Sequence, residues 1–201
     1  MEPFDIYLAS ASPRRRELLI QIGVRYRLLD VSVSETRLDD EAPDAYVRRV
    51  ARDKARAGLE LIDPAAPRPV LGADTVIVID DKILGKPQDR EEAIAMLQQL
   101  SGRTHQVLSG VALIDHDERN ALNVSQVTFR ELSRAECERY WQTGESQGKA
   151  GAYAIQGYAA AFIRELYGSY SGVMGLPLYE TAQLLQQAGV ELFPNQEWDQ
   201  E

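Results

Sequence analysis

Residues 70–80, VLGADTVIVID, form the most apolar stretch of the chain, and the rest of the sequence is best interpreted outward from them. Their nearly unbroken run of aliphatic residues predicts a buried β-strand. The Asp80-Asp81 pair predicts a tight turn, and residues 82–87, KILGKP, predict a strand that returns antiparallel to the first. We therefore expect a β-hairpin within the central sheet.

Strands and helices alternate on both sides of this hairpin. Upstream, the patterns predict a strand ending at residues 7–9, a helix over 12–22, a strand over 26–33 and a long helix over 42–62. Downstream, they predict helices near 90–102, 133–144 and 177–189, and strands near 104–115, 122–132 and 162–166. Because hairpins occur among the helices, the sequence favours an α/β fold with a mixed β-sheet flanked by helices over a purely parallel sheet.

Composition excludes several classes of protein. The 201 residues carry a net charge of -9, which disfavours broad nucleic-acid binding because that needs a basic face. A single cysteine rules out an intramolecular disulfide and a thiolate metal cage. The two histidines make a His-rich zinc site a poor fit, so a catalytic cation is expected to be a hard one with oxygen ligands.

No targeting or membrane segment is evident. Spanning a bilayer needs an apolar run of about 18 residues, and the sequence contains no run of that length. The sequence therefore predicts a cytoplasmic protein that binds no membrane. No repeat, low-complexity segment or long linker divides the chain. We expect residues 1–201 to form a single domain, with residues 194–201, PNQEWDQE, as a flexible tail.

Asp74 is the strongest anomaly, because it lies inside the apolar run of residues 70–79. An ionised carboxylate in an apolar setting needs a lysine, an arginine or a metal ion beside it. The alternative is a bulge in which Asp74 accepts hydrogen bonds from backbone amides. Gly72 is compatible with either a bulge or the close approach of a ligand.

Three consecutive arginines, Arg14 to Arg16, follow the predicted N-cap Ser12 and the first helical residue Pro13. The N-terminus of a helix carries partial positive charge, so cations there are disfavoured unless an anion offsets them. Phosphate binding by Arg14 or Arg15 is the functional interpretation. A surface helix that begins with solvated arginines is the structural alternative.

Two lysines and a glutamate are further candidates. Lys54 lies near the buried edge of its helix, and Lys86 follows the hairpin with Pro87 stiffening the chain beyond it. Both are candidates for phosphate contacts, although a snorkelling or solvated lysine is the alternative for each. Glu35 follows a predicted strand and is a candidate second ligand for a cation, with an exposed loop acid as the alternative.

The glycine-rich stretch GKAGAYAIQG, residues 148–157, offers a third kind of group. The side-chain amide of Gln156 presents an acceptor and two donors in one plane, which complements the N3–H and O4 edge of uracil or thymine. Tyr153 supplies an aromatic face. An ordinary loop is the alternative interpretation of this segment. Neither a Walker-type phosphate loop nor a GxGxxG motif after a strand occurs.

Six segments together resemble the Maf family of nucleoside triphosphate pyrophosphatases. They are LASASPRRRELL, RDKA, VLGADTVIVI, LGKPQD, LSGRTHQVLSGVAL and KAGAYAIQG, and in order they cover roughly residues 6–180. The AIQG form, with the threonine of GADT, resembles the branch that acts on dTTP and UTP. The resemblance implies an elongated mixed sheet similar to that of inosine triphosphate pyrophosphatases, two lobes with a cleft between them, and a homodimer.

The resemblance also implies roles for particular residues. Asp74 falls on the position of the proton acceptor. The positions linked to substrate choice are Arg14, Thr75 and Gln156. Further pocket positions are Ser10, Arg15, Glu35, Lys54 and Lys86.

These residues lead to one hypothesis of mechanism. The helix that begins near Ser12, with Arg14 or Arg15, binds the triphosphate, and Asp74 with Glu35 helps to hold Mg²⁺ or Mn²⁺. Asp74 orients or deprotonates a water that attacks the α-phosphorus of dTTP, UTP or a modified pyrimidine nucleotide, and pyrophosphate is released. Two alternatives remain open: a nucleotide-binding regulator of cell division without turnover, and a pyrophosphatase that prefers purines.

Overall fold

A computed structural model describes residues 4–193 of the chain. Within that range seven strands form one sheet: β1 Ile6–Ala9, β2 Tyr26–Leu28, β3 Val70–Ile79, β4 Lys82–Leu84, β5 Thr104–Ile114, β6 Glu118–Phe129 and β7 Ile163–Tyr167. The α-helices of the same range are α1 Pro13–Gln21, α2 Pro43–Leu59, α3 Arg90–Leu100, α4 Arg134–Gln142, α5 Tyr170–Met174 and α6 Leu178–Gln187. The flexible tail predicted for residues 194–201 lies outside the described residues.

The sheet is mixed, which confirms the predicted fold class. The strand order is β2-β1-β3-β5-β6-β7, and β4 pairs with β3. Strand β1 runs parallel to β2 and β3, whereas β3, β5, β6 and β7 are successively antiparallel. The predicted hairpin is also confirmed, since β4 returns antiparallel along the end of β3.

Strand β3 is covered along one edge and interrupted along the other. Strand β5 pairs with it continuously from Val70 to Val78. On the opposite edge, β1 pairs only as far as Gly72, and β4 begins to pair at Ile77. Among the described residues, therefore, no strand lies beside the part of β3 between these two positions on that edge. This gap places Asp74 and Thr75 at an opening in the sheet.

Two large apolar clusters pack at the two ends of the long strands. One joins α1 and α6 to β1 and to the first residues of β3, and includes Leu8, Leu19 and Leu71. The other joins α3 and α4 to the far ends of β3 and β5, and includes Ile77, Leu97 and Phe129. Burial of these side chains supplies most of the stabilisation, at roughly 25 cal/mol for each Å² of apolar surface removed from water.

Helix α2 lies directly against the middle of the sheet. A Cβ atom on Gly72 would come within 2.3 Å of the carbonyl oxygen of Ala51, and one on Gly110 within 2.7 Å of that of Val47. Gly72 thus allows the backbone of a helix to approach, and neither a bulge nor a ligand explains it. The pairing of β3 with β5 is regular on both sides of Asp74, so the structure does not support the alternative interpretation of a bulge.

Two further expectations differ from the structure. The second strand ends at Leu28 rather than at residue 33, because its partner β1 has only four residues. Helix α5 was not predicted; it is short, and it is capped by Ser169, whose side chain accepts from the backbone N–H of Gly172 at 2.9 Å. Between residues 4 and 193, no helix combines the length and apolar character that crossing a membrane requires.

Candidate active site

A cavity of about 390 Å³ opens at the gap beside β3. All the site residues predicted from the sequence line it: Ser10, Ser12, Arg14, Arg15, Glu35, Lys54, Asp74, Thr75, Lys86 and Gln156. They come from the β1–α1 junction, the segment after β2, helix α2, strand β3, the exit of β4 and the loop before β7. The structure therefore brings together residues that are as much as 146 positions apart in the chain, from Ser10 to Gln156.

Lys54 forms the centre of the acidic part of the cavity. Its Nζ lies 2.8 Å from Oδ1 of Asp74 and 2.7 Å from Oε1 of Glu35. Lys86 adds a longer contact, 3.7 Å from Nζ to Oε2 of Glu35. The partner that the buried Asp74 requires is thus a lysine, as one of the sequence interpretations predicts.

Glu35 remains ionised in this arrangement. Burial raises the pKa of its carboxyl group. The hydrogen bond and charge of Lys54, with the charges of Lys86 and Arg15, lower the pKa by more than burial raises it, so the net pKa lies below its usual value. Tyr46 holds the segment in place by donating from its hydroxyl to the backbone carbonyl oxygen of Glu35 at 2.8 Å. Burial, then the charges of Asp74 and Glu35, raises the pKa of Tyr46 to about 12, so this hydroxyl keeps its proton.

The two arginines of the cavity are held by backbone carbonyl oxygens. Nε of Arg14 donates to the carbonyl oxygen of Met174 at 3.0 Å, and Nε of Arg15 donates to that of Gly175 at 2.8 Å. Nη1 of Arg15 also donates to Oγ of Ser10 at 3.0 Å. Burial lowers the pKa of both guanidinium groups, which nonetheless remain protonated at neutral pH.

The helix start itself differs from the prediction. Ser12 occupies the N-cap position of α1, but its side chain makes no capping hydrogen bond. Its backbone N–H donates instead to Oγ of Ser10 at 3.3 Å. Amides in the first turn of α1 are therefore not consumed by the cap. Arg16 does not line the cavity, in contrast to its two neighbours.

The loop before β7 forms the opposite wall. Gln156 is exposed, whereas Tyr153 is buried against Phe129, with a distance of 4.9 Å between ring centroids, and its hydroxyl lies 2.9 Å from Nε2 of His105. Lys149 also lines the cavity, and burial together with the charge of Arg14 lowers the pKa of its ammonium group. Lys149 was not among the predicted site residues, although it lies in the same glycine-rich motif.

The family comparison agrees with this geometry. Residues 5–188 match the family described as Maf-like protein. The chain belongs to the Maf family. The Maf resemblance found in the sequence is thereby confirmed.

Relatives with curated names are similar over almost the whole chain. A dTTP/UTP pyrophosphatase of Alkalilimnicola ehrlichii is 59% identical over 189 residues, covering 92% of this chain and 94% of the relative. A protein with the same name from Saccharophagus degradans is 53% identical, and the match covers 95% of this chain and 92% of the relative. One from Xanthomonas oryzae pv. oryzae is 55% identical, and the match covers 92% of this chain and 98% of the relative.

A solved structure of a nucleoside-triphosphatase, or dITP/XTP pyrophosphatase, from Mycobacterium abscessus shows a weaker likeness. It is 19% identical, with a TM-score of 0.40, and the match covers 62% of this chain and 74% of that one. A similarity of this size supports no conclusion about the Maf protein.

The donor set of the cavity fits a hard divalent cation. Asp74 and Glu35 both contact the same ammonium group, and their carboxylate oxygens are the kind of ligand that such a cation takes. Among the described residues a second acidic group, Asp115, His116 and Asp117, has ligand atoms within 4.8 Å of one another. It lies in the β5–β6 turn, outside the cavity lining, with the side chain of His116 80% exposed.

The sequence interpretation missed the residues that hold the predicted ones in place. Tyr46 contacts Glu35, and Ser109 contacts Thr75 and the carbonyl oxygen of Gly172. The carbonyl oxygens of Met174 and Gly175 accept from the two arginines. No motif marks these carbonyl groups, because any residue type supplies one. Only Ser109 carried a signal, as a polar residue within an apolar strand pattern.

Proposed function

We propose that this Maf protein hydrolyses dTTP and UTP to the nucleoside monophosphate and pyrophosphate. The observation that carries the proposal is that one cavity combines two carboxylates bridged by Lys54 with two arginines and the side-chain amide of Gln156. The relatives named dTTP/UTP pyrophosphatases, which are 53–59% identical over more than nine-tenths of the chain, support the same substrates.

The triphosphate binds at the start of α1. Arg14 and Arg15 supply positive charge there, and the backbone amides of the first turn, which the Ser12 side chain does not occupy, point toward the same anion. Lys86, whose side chain is 62% exposed, adds charge from the hairpin side. The substrate thereby offsets the cations that are otherwise unfavourable at a helix N-terminus.

Asp74 is the proton acceptor. Its Oδ1 lies 2.8 Å from Nζ of Lys54, and the carboxylate accepts hydrogen bonds, so it can orient a water and take one of its protons. The water oxygen bonds to the α-phosphorus as the bond from that phosphorus to the α–β bridging oxygen breaks, and pyrophosphate leaves with the bond electrons. Mg²⁺ or Mn²⁺, held by Asp74 and Glu35, supplies positive charge for the phosphate oxygens when bound.

The pyrimidine is read by Gln156. Its amide pairs with the N3–H and O4 edge that thymine and uracil share, and an exposed side chain at the cavity wall is free to turn toward that edge. Arg14 and Thr75 are the other residues of substrate choice. We also propose, from the resemblance, a single two-lobed domain over residues 1–201 and a cytoplasmic homodimer; the proposed substrate requires neither nucleic acid nor membrane.

The decisive experiment measures pyrophosphate release from dTTP, UTP, ITP and GTP by the purified protein with Mg²⁺ or Mn²⁺. We expect dTTP and UTP to be the better substrates, and Asp74→Asn to lose about 10²-fold or more in kcat. Asp115→Asn, a change outside the cavity, is the matched control and should leave the rate unchanged. Faster release from ITP would support the purine alternative. Nucleotide binding without release would support the regulatory one.

A further inference from the structure

Thr75 and Ser109 face each other across β3 and β5 and form a short chain of hydroxyl groups. Oγ1 of Thr75 lies 2.9 Å from Oγ of Ser109, which in turn lies 2.6 Å from the carbonyl oxygen of Gly172 in α5. The carbonyl oxygen of Gly175 is a second, longer neighbour of Thr75 at 3.4 Å. Ser109 is 1% exposed, so water does not compete for these contacts.

The position of each proton follows from these distances. A carbonyl oxygen only accepts, so the contact of 2.6 Å requires Ser109 to donate its single proton to Gly172. Ser109 must then accept from Thr75 across the contact of 2.9 Å. In the opposite arrangement Ser109 donates to Thr75, and Thr75 donates to the carbonyl oxygen of Gly175 over 3.4 Å. The lone pairs of Ser109 Oγ and of the Gly172 carbonyl oxygen then face each other at 2.6 Å, which is unfavourable. The first arrangement is therefore favoured, and it commits the proton of Thr75 to Ser109.

We infer that Ser109 is a positioning residue that makes Thr75 an obligatory hydrogen-bond acceptor toward the nucleoside of the substrate. The inference rests on the proposed function. With its proton committed to Ser109, Thr75 presents only lone pairs to the cavity. It therefore attracts a donor group and disfavours phosphate oxygens and other acceptors.

Few donors are available on the proposed substrates. The nucleoside of dTTP has two, the ring N3–H and the 3′-hydroxyl. UTP has both and adds a 2′-hydroxyl, which a site that accepts both nucleotides cannot require. Gln156 accounts for the N3–H in the proposed binding mode, which leaves the 3′-hydroxyl for Thr75. In either case Thr75 accepts from a single N–H or O–H donor, and substrate analogues distinguish the ring N3–H from the 3′-hydroxyl.

The test compares kcat/KM for two pairs of substrates. The pair dTTP and 3′-O-methylthymidine triphosphate reports the hydroxyl, because the ether oxygen accepts but cannot donate. The pair UTP and CTP reports the ring N3–H, which CTP replaces with an acceptor nitrogen. We expect Ser109→Ala to reduce the preference in the first pair by about fivefold to tenfold, the effect of one hydrogen bond, because the freed Thr75 hydroxyl can also donate. The same reduction in the second pair instead would assign the donor to the ring.

A double-mutant cycle separates this role from general packing. In a Thr75→Val background, Ser109→Ala should cause no further change in either preference, because no hydroxyl remains to be oriented. Thr104→Val is the matched control, since it breaks a similar cross-strand contact of 2.8 Å with Thr128, between β5 and β6 and outside the cavity lining. It should leave both preferences as they are.

Two results would overturn the inference. One is a folded Ser109→Ala protein, verified by its thermal transition, with both preferences unchanged. The other is an equal change with and without the Thr75 hydroxyl. A wild-type protein that releases no pyrophosphate would instead reject the proposed function itself, so the two failures are distinguishable.

Discussion

At the scale of single residues, the site depends on charges that share partners. Lys54 satisfies two carboxylates at once, and its side chain is only 12% exposed. Because each carboxylate would repel the other without it, Lys54 is as important for the site as Asp74, the proposed proton acceptor. Sequence reasoning found both residues, since a buried acid in an apolar strand and a lysine on a helix edge are visible as anomalies. Their direct contact could not be read from positions 20 residues apart.

Lys54→Met should lower kcat by about 10²-fold, within the range expected for loss of proton-transfer and charge stabilisation. It should also alter the acid side of the pH–rate profile. In the wild type the pKa of Glu35 is held below its usual value, so activity that depends on its charge is lost only as the pH falls through that low value. Without Lys54 the pKa of Glu35 rises, and the loss begins at higher pH.

The control for this measurement is Lys82→Met, an exposed lysine on β4 outside the cavity lining. Its pH–rate profile should superimpose on that of the wild type. An acid side that does not move in the Lys54 variant would contradict the proposed coupling to Glu35.

His105 gives a stability prediction at the same scale. Burial lowers its pKa to about 4, whereas the unfolded chain binds the proton near the ordinary value of about 6.5. The contribution of His105 to the free energy of unfolding is therefore unchanged above about pH 6.5 and falls as the pH drops from there toward 4. Below about pH 4 this contribution is constant. His105→Gln should lose about 2 kcal/mol less than the wild type between pH 7 and pH 5, as measured by urea denaturation.

His116→Gln is the control, because the side chain of His116 is 80% exposed. It should reproduce the wild-type loss of stability between the two pH values. An identical loss in the His105 variant would show that this buried ring does not titrate as described.

At the scale of elements, helix α2 decides where Lys54 lies. The helix packs across the sheet at two glycines, Gly72 and Gly110, and this close approach brings Lys54 to Asp74. The helical pattern of residues 42–62 predicted the element, and the structure ends it at Leu59. The part of the sheet against which it packs was not predicted, since a glycine in a strand permits several kinds of neighbour.

Gly72→Ala should destabilise the fold by about 1–3 kcal/mol or more, the usual cost of overpacking, because its Cβ would meet the backbone of α2 rather than a flexible side chain. Chemical denaturation measures the effect. Gly85→Ala is the matched control, since no atom lies within 4 Å of the Cβ that it would add. Equal stability of the two variants would contradict the packing of α2 described above.

At the scale of the whole molecule, the cavity lies between the two apolar clusters. Its walls come from α1 and α5 on one side and from the hairpin and the glycine-rich loop on the other. The backbone N–H of Gly151 donates to the carbonyl oxygen of Gly85 at 2.9 Å and ties the last two together. A ligand in the cavity therefore contacts both walls.

A nucleotide that binds only the folded state should raise the thermal transition. With a non-hydrolysable α,β-imido analogue of UTP at about 100 times its Kd, the expected gain in stability is about 2.7 kcal/mol. Uridine, which lacks the phosphates, is the matched control and should give a smaller shift at equal concentration. Equal shifts would contradict a dominant contribution from Arg14, Arg15 and the start of α1.

The sequence by itself determined the class of fold, the strand–helix order and the identity of the charged and polar groups in the cavity. These follow from local periodicity and from residues that are costly unless a partner compensates them. Only the tertiary structure decided that β1 stops and β4 starts on either side of Asp74, and that α2 and the carbonyl groups after Ser171 meet the cavity there. Such contacts join distant segments through packing and through backbone groups common to every residue, so no local pattern records them.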